Sequence, residues 1–463
     1  VLSTLTNEEI QNSLLFYYLN ITIGTPPQNF AVQIDTGSSD TWVISVNDTT
    51  DCEEYSGPIG CDYGLYDPTK SSTYSLVQSG GFSITYGDGT EIAGDFITDN
   101  VNFGGNVTVK NQILGLANYT TGDTYGLMGV GFDTNEANVS VGGSIYPNII
   151  DELKTQGFIN VKAYSLWLDD LESSTGSILF GGVDRSKYHG DLISLPIQPD
   201  AYTGELTSFT VSLTSIRFTD STTNDSLYSG PALPALLDSG TSFTYLPDEI
   251  ANAILNGIGV AQDNNTDLNL APCSLNQSDA VITFGLGGPS GPLITVRLSE
   301  FLSDPYLNSD GSIFQINGAD VCYFGIYAGG DNTSTILGDT FLRSAYVVYD
   351  LENYLIGMAN TNFNPGAPDI VEYNAGALGI PCVSSTATVA VPTSVYAAAP
   401  TGPTITGFPS GTFGLSTPAG AQATGYGKDE KTTSNVGDRV VVGAGRVAVL
   451  SFGLVTGILA VIL

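Results

Sequence analysis

Two five-residue strings, Asp35-Thr36-Gly37-Ser38-Ser39 and Asp238-Ser239-Gly240-Thr241-Ser242, stand 203 residues apart in a chain of 463. Each is entered from an apolar run (Phe30 to Ile34, Leu233 to Leu237) and followed by an aromatic and an apolar residue (Trp42-Val43, Tyr245-Leu246). A single Asp-Thr-Gly is an ordinary turn sequence, since Asp and Gly both suit tight reversals. Here the pattern continues: Leu127-Met128-Gly129 follows the first string and Ile336-Leu337-Gly338 the second, their glycines 94 and 100 residues beyond the aspartates. A long-period duplication in only two copies means two similar lobes rather than a solenoid. Each lobe then donates one carboxylate. Two carboxylates brought together cannot both ionise easily, so they share a proton and suit acid–base hydrolysis at low pH.

Composition narrows the class. Charged residues are 13% of the chain, Gly numbers 55, and Tyr, Phe, Ser and Thr are plentiful. That mixture favours strands and turns over helices, so the expected fold class is all-β. Short helices are expected only at Pro247 to Leu255 and Asn148 to Gly157. With 13 basic against 47 acidic residues, the formal net charge is −34. This excludes the basic patches that nucleic acid requires and electrostatic docking on an anionic membrane. It suits work in acid, where protonation relieves self-repulsion, and would attract basic substrates; solubility of a secreted protein explains it equally well. One histidine, His189, builds neither a His-based triad nor a multi-His metal site, and is expected in a surface loop.

The chain resembles the pepsin-like aspartic proteases and, within them, the fungal yapsin group. The resemblance covers roughly residues 16 to 359. It is carried by Tyr17-Tyr18-Leu19-Asn20-Ile21-Thr22-Ile23-Gly24-Thr25-Pro26-Pro27-Gln28, the two Asp strings, Ile84-Thr85-Tyr86-Gly87-Asp88-Gly89-Thr90, and Ile336-Leu337-Gly338-Asp339-Thr340-Phe341-Leu342-Arg343. It implies a bilobal, mainly β acid-protease fold with a central cleft, an inhibitory pro-segment outside this numbering, no cofactor and no metal, and a monomer acting on polypeptides. Lobes are expected at 1–190 and 191–376, a Ser/Thr/Ala/Pro/Gly-rich stalk at 377–435, and a C-terminal signal at 436–463.

The resemblance implies that Asp35 and Asp238 are the catalytic pair, activating a water that attacks the peptide carbonyl. Gly37 and Gly240 let backbone amides approach the carboxylates. Thr36 and Thr241 are expected to hydrogen-bond within the site, and Ser38 and Ser242 to hold the outer carboxylate oxygens. Tyr86, before the Gly87-Asp88-Gly89 tip, is expected to close over substrate with its hydroxyl toward Trp42. By the resemblance, Asp88 is expected where the flap lines the pocket for the side chain before the scissile bond, where a carboxylate favours Lys or Arg. Asp51, Glu53 and Glu54 add acidic charge nearby. A plain turn residue and a solvated acidic loop are the alternatives for these groups.

Five cysteines and several Asn-X-Ser/Thr sequons indicate the secretory pathway. The resemblance implies the pairs Cys52–Cys61 and Cys273–Cys322, although sequence alone allows others; Cys382 is left over. Candidate glycosylation sites are Asn47, Asn106, Asn118, Asn138, Asn224, Asn264, Asn276 and Asn332, whereas Asn20 is expected to be buried in a strand and unmodified. The Ser/Thr-rich tract reads as a flexible, O-glycosylated stalk. Val447 to Leu463 is uncharged and apolar, and lies behind a polar spacer from Asp438 to Arg446. Small residues, spacer and apolar tail fit a GPI-attachment signal with Asn435 as acceptor and Ser434 and Gly437 as competitors. The rival reading is a tail-anchored helix. The anchor places the protein at the outer face of the plasma membrane or in the cell wall.

Three functions compete: a surface-anchored endopeptidase of yapsin type that processes proproteins or wall proteins, a broad-specificity secreted acid protease for nutrients, and an inactive pepsin-fold binding protein. The presence of Asp35, Asp238 and Tyr86 disfavours the third.

Overall fold

The computed structural model describes residues 6–12, 16–48, 63–105, 107–121, 125–140, 142–200, 203–263, 268–308, 311–330 and 335–391. Strands dominate. In Tyr17–Ile23, Tyr17, Leu19, Ile21 and Ile23 point inward and Tyr18, Asn20 and Thr22 outward, the period of a sheet with one face on the core. The next strand, Gln28–Asp35, is buried on both faces from Phe30 onward. Its apolar run is therefore continuous rather than alternating. Asn20 is exposed, contrary to the expectation of burial. The alternation is set by Leu19 and Ile21 on the core side, and an odd/even count places Asn20 on the other.

A sheet of 14 strands begins at the hairpin Ser75–Thr85/Glu91–Gly104 and ends at Val383–Thr386. A second sheet, of 7 strands, carries Thr210–Thr219, Asn224–Leu237 and Ile336–Leu337. The first sheet crosses the boundary expected near 190. Strands Ala345–Asp350, Leu355–Thr361 and Val383–Thr386 join it through Tyr188–Pro196 and Ala163–Trp167. Between the halves Phe209, Tyr164 and Tyr349 pack ring to ring, with Tyr164 and Tyr349 stacked at 4.9 Å and Phe209 and Tyr349 edge-on at 4.7 Å. All three are buried.

Helices are few and follow their capping signals. Ile149–Thr155 starts at Asn148, whose side chain accepts from the amides of Ile150 and Asp151 while the Asp151 carboxylate accepts from the Asn148 amide. Asp248–Ile258 follows Pro247 and stops at Gly259, which takes the left-handed conformation at φ 80°. No helix among the described residues is long and apolar enough to cross a membrane.

The expected stalk begins too early. Residues 377–391 pack on the body: Val383–Thr386 runs parallel to Tyr188–Pro196, Ala387 is buried, and its amide donates to the Ser194 carbonyl at 2.8 Å. The Ser212 hydroxyl donates to the Val389 carbonyl at 2.5 Å, and the Val391 amide to Gln198 at 2.9 Å. The reason is a second pattern inside the low-complexity tract, with Val383, Ala387, Val389 and Val391 recurring at even spacings. Residues 392–463, including Asn435, lie outside the described residues, as do Cys52 and Cys61. His189 is exposed as expected, but on the strand Tyr188–Pro196 opposite Asn360 rather than in a loop.

Candidate active site

Asp35 ends the strand Gln28–Asp35, which runs parallel to Gly126–Gly129 with Asp35 opposite Gly129. Asp238 follows the strand Asn224–Leu237, which runs parallel to Ile336–Leu337. In both halves the strand after the Asp turn comes back antiparallel to the same short strand, pairing Trp42 with Leu127 and Tyr245 with Ile336. The repeated Gly has a steric reason. A Cβ on Gly129 would lie 2.6 Å from the Ser39 backbone, and one on Gly338 would lie 2.3 Å from the Thr241 carbonyl oxygen. The Asp loops pass through the space that those side chains would fill.

The carboxylates are held alike. Asp35 Oδ1 accepts from the Gly37 amide at 2.7 Å and Oδ2 from the Ser38 hydroxyl. Asp238 Oδ1 accepts from the Gly240 amide at 2.8 Å and Oδ2 from the Thr241 hydroxyl at 2.7 Å. A Cβ added to Gly240 would sit 2.3 Å from Asp35 Oδ1, and one added to Gly37 would sit 2.5 Å from Asp238 Oδ1. The inner oxygen of each Asp thus rests against the glycine of the other lobe. Burial, followed by the charge of Asp238, pushes the Asp35 carboxyl well above the usual carboxylate range.

Four hydrogen bonds lock the two loops together. Thr36 and Ser239 exchange amide-to-hydroxyl bonds at 3.2 and 2.9 Å. Their hydroxyls donate onward to the Leu237 carbonyl at 2.9 Å and the Ile34 carbonyl at 2.8 Å. The lock is buried, so breaking it would strand unpaired polar groups.

A family model for eukaryotic aspartyl protease matches residues 16–361. The chain belongs to the eukaryotic aspartyl proteases. It is 41% identical over 423 residues to the probable aspartic-type endopeptidase opsB of Aspergillus oryzae, an alignment covering 89% of this chain and 84% of the relative. To the aspartic proteinase yapsin-3 of Saccharomyces cerevisiae it is 33% identical over 374 residues, or 78% of this chain and 69% of the relative. The crystal structure of the aspartic proteinase from Irpex lacteus is similar at a TM-score of 0.62 and 25% identity, covering 78% of this chain and 98% of that one. The protein is an aspartic endopeptidase with the mainly β fold of that structure.

In this protease the expected flap residues lie at the tip of the hairpin Ser75–Thr85/Glu91–Gly104. Its tip is turned by Tyr86 and Thr90, with the Tyr86 amide donating to the Thr90 carbonyl at 2.9 Å and Gly89 at φ 88°. The buried Trp42 donates its indole N–H to the Tyr86 hydroxyl at 2.7 Å. Gly87 is exposed, and a Cβ there would meet nothing within 4 Å. Asp88 is exposed at the tip, its carboxylate accepting from the Thr90 amide at 2.9 Å and the Thr90 hydroxyl at 3.0 Å. The phenol of Tyr245, in the other lobe, is held above its usual range by burial first and then by Tyr327 and Asp88.

Two expected roles fall on other residues. The hydroxyl that hydrogen-bonds across to the Thr36 loop is that of Ser239, not Thr241, and the hydroxyl on the outer oxygen of Asp238 is that of Thr241, the role expected of Ser242. Laying the strings in register from each Asp pairs Thr36 with Ser239 and Ser38 with Thr241; reading Thr for Thr and Ser for Ser misaligned them. Cys273 and Cys322 form a disulfide with an S–S distance of 2.01 Å. Cys382 is exposed and makes no disulfide among the described residues. Asn47, Asn118, Asn224 and Asn276 are exposed and Asn138 is half-buried, whereas Asn106, Asn264 and Asn332 lie outside the described residues.

The sequence reading missed Asp339. It is buried, neither carboxyl oxygen has a hydrogen-bond partner among the described residues, and its amide donates to the Thr241 carbonyl at 2.9 Å. Burial holds its carboxyl well above the ordinary range. The nearby Arg343 opposes this, and the charges of Asp238 and Asp35 add to it. Arg343 is itself buried and paired with Glu300 at 2.9 Å. The signal available was an Asp directly after Ile336-Leu337-Gly338.

Proposed function

We propose that Asp35 and Asp238 share one proton and hold the attacking water between them. The ionised member takes a proton from the water as its oxygen adds to the peptide carbonyl. The protonated member donates to the carbonyl oxygen, giving a neutral tetrahedral diol, and the departing nitrogen is then protonated. The pair titrates as a unit, so the proton belongs to the dyad. The observation that carries this reading is the matched seating of the two carboxylates, each with its inner oxygen against the opposite glycine. Closure of the flap over substrate, with Tyr86 fixed by Trp42, would exclude water.

The substrates of this reading are polypeptides with Lys or Arg before the scissile bond, and the enzyme works in the secretory pathway or at the cell surface, held through a GPI anchor at Asn435. Asp88, exposed at the flap tip, and the acidic excess of the chain support basic-residue cleavage; the Cys273–Cys322 bridge supports an oxidising compartment. A broad-specificity reading is favoured by one feature: Asp88 already accepts two bonds from Thr90, which commits lone pairs that a basic side chain would use. Peptide-library cleavage at pH 4 to 6, with and without pepstatin and with Asp238→Asn as control, separates these. Pepstatin-sensitive cutting after Lys and Arg supports the first. Cutting between bulky apolar residues removes the role given to Asp88, and inertness of the mature wild type refutes the dyad mechanism.

A further inference from the structure

We propose that Asn20 carries an N-linked glycan whose first sugars lie in the groove beside it. The sequon Asn20-Ile21-Thr22 sits within the strand Tyr17–Ile23, so Asn20 and Thr22 project from the same outer face while Ile21 is buried. Asn20 is exposed. Its cross-strand partner is Ala31, a single methyl group. The Asn20 amide makes no side-chain hydrogen bond among the described residues, so a substituent on its nitrogen displaces nothing.

A groove of about 400 Å³ opens along this face, lined by Asn20, Thr22, Asn29, Tyr63, Asn102 and Gly104 among others. Its volume falls in the range of small-ligand sites. The wall combines the amides of Asn20, Asn29 and Asn102 and the Thr22 hydroxyl with the aromatic residues Tyr63, Phe30 and Phe103, a mixture of hydrogen-bonding and apolar surface that suits sugars. Asn102 is pinned, donating to Thr108 at 2.6 Å and accepting from the Gly104 amide at 2.7 Å, which presents a fixed polar wall. Gly104 leaves the far side open, since a Cβ there would meet nothing within 4 Å. Asn29 is exposed and stands opposite Thr22.

The covalent step uses a lipid-diphosphate-linked oligosaccharide as donor. The Asn20 side-chain nitrogen forms a bond to the anomeric carbon and loses a proton. The bond from that carbon to the diphosphate oxygen breaks, and the lipid diphosphate leaves with the electron pair. Transfer occurs while the chain is extended, before Tyr17–Ile23 pairs with Gln28–Asp35. The folded sheet then accepts the product because the modified nitrogen faces out.

The test uses the full chain secreted from a fungal host, carrying Asp238→Asn against self-digestion. Enzymatic removal of N-glycans in heavy-oxygen water converts each occupied Asn to labelled Asp, read by peptide mass spectrometry. Asn20 is expected to be labelled, and Asn20→Gln to lose the mass of one glycan while staying folded. A bare Asn20 beside a labelled Asn118 or Asn224 overturns the proposal; a chain bare at every sequon overturns it together with the secretory route. Seating is read by an endoglycosidase that cuts within the glycan core. Release from Asn20 is expected about tenfold more slowly than from Asn224 in the folded protein, as for a seated state populated about nine times in ten, and equally fast after denaturation. Equal release in the folded protein removes the glycan from the groove.

Discussion

Glu136 makes the stability of this enzyme depend on pH in a direction opposite to that of a salt-bridged carboxylate. Asp40 and Glu136 are both buried beside Tyr146. Asp40 accepts from the Tyr146 hydroxyl at 2.5 Å and the Ala137 amide at 2.7 Å. Glu136 Oε2 accepts from the Tyr146 amide at 2.9 Å, and Oε1 has no partner among the described residues. No cation pairs with either carboxyl among the described residues. Burial, with Asp40 and other nearby carboxylates adding to it, pushes Glu136 up to about 9 from 4.5. The native state therefore keeps a proton that the unfolded chain releases above its ordinary value. The stability this contributes is complete below pH 4.5 and is lost as pH rises toward 9. At ~1.4 kcal/mol per pH unit, the loss between pH 4.5 and 7 is about 3 kcal/mol.

The substitution Glu136→Gln fixes the neutral form and keeps an oxygen for the Tyr146 amide. In an Asp238→Asn background, calorimetry should show wild type and variant melting together near pH 4.5. By pH 7 the variant should melt about 4 °C higher, taking roughly 2 cal/mol/K of unfolding entropy per residue of the folded body. The gap between the two, rather than either curve alone, isolates this group from other buried carboxyls. A gap that stays constant from pH 4.5 to 7 would show that Glu136 is ionised in the native protein, and the reasoning fails.

Gly240→Ala places a methyl 2.3 Å from Asp35 Oδ1 and should lower kcat/KM by about a hundredfold or more through misplacement of the dyad, with an unchanged circular dichroism spectrum. Wild-type activity in that variant would refute the close packing. Thr36→Val removes one hydroxyl from the inter-lobe lock and leaves the Ser239 amide without its acceptor, at a cost of about 1–3 kcal/mol in denaturant unfolding; a change within error would mean that water replaces it. Tyr86→Phe removes the acceptor of the Trp42 indole and should reduce kcat more than stability, by about tenfold, as steady-state kinetics will show. Ending the chain after residue 376 removes a strand paired to Tyr188–Pro196 and exposes the body beneath Ala387, so Tm should fall by several degrees relative to a chain ending after residue 391; equal Tm values would refute the packing of this strand.

What could be read in advance was what repeats. The two Asp strings and the two glycines behind them place the same backbone twice, so the parallel pairing of Asp35 with Gly129 follows from local pattern and steric need. Ser239 was passed over, and Thr241 and Ser242 misplaced, because side-chain identity was matched where position should have been. The strand at Val383–Thr386 was hidden by composition: Ser, Thr and Ala read as a flexible tract, and only its pairing with Tyr188–Pro196, nearly two hundred residues earlier, makes it a strand. Glu136 was illegible for a different reason, and Asp339 was marked only by its place after Ile336-Leu337-Gly338. An acidic residue in an acidic chain reads as solvated surface, and burial by distant elements is what raises these carboxyls.

Those buried acids connect the fold to the chemistry. Asp339 and Glu300 both feel the charge of Arg343, which pairs with Glu300, and burial raises both carboxyls despite that cation; Asp339 in turn feels the charges of Asp238 and Asp35. On the proposed mechanism a dyad holding one proton carries a single negative charge, and that charge adds to the burial that raises the Asp339 carboxyl. Ionising Asp339 as well would add a second negative charge with no hydrogen-bond donor among the described residues to receive it. On the proposed mechanism acid therefore acts twice at the same place: it keeps one proton on the dyad, and it favours the neutral form of the raised carboxyl behind the Thr241 loop. Asp339→Asn separates them. It should retain the acid limb of the activity profile, which belongs to the dyad, and slow inactivation on standing at neutral pH, which belongs to the buried acid. If the variant loses activity at neutral pH as fast as wild type, Asp339 is not the group that makes the enzyme depend on acid for its integrity.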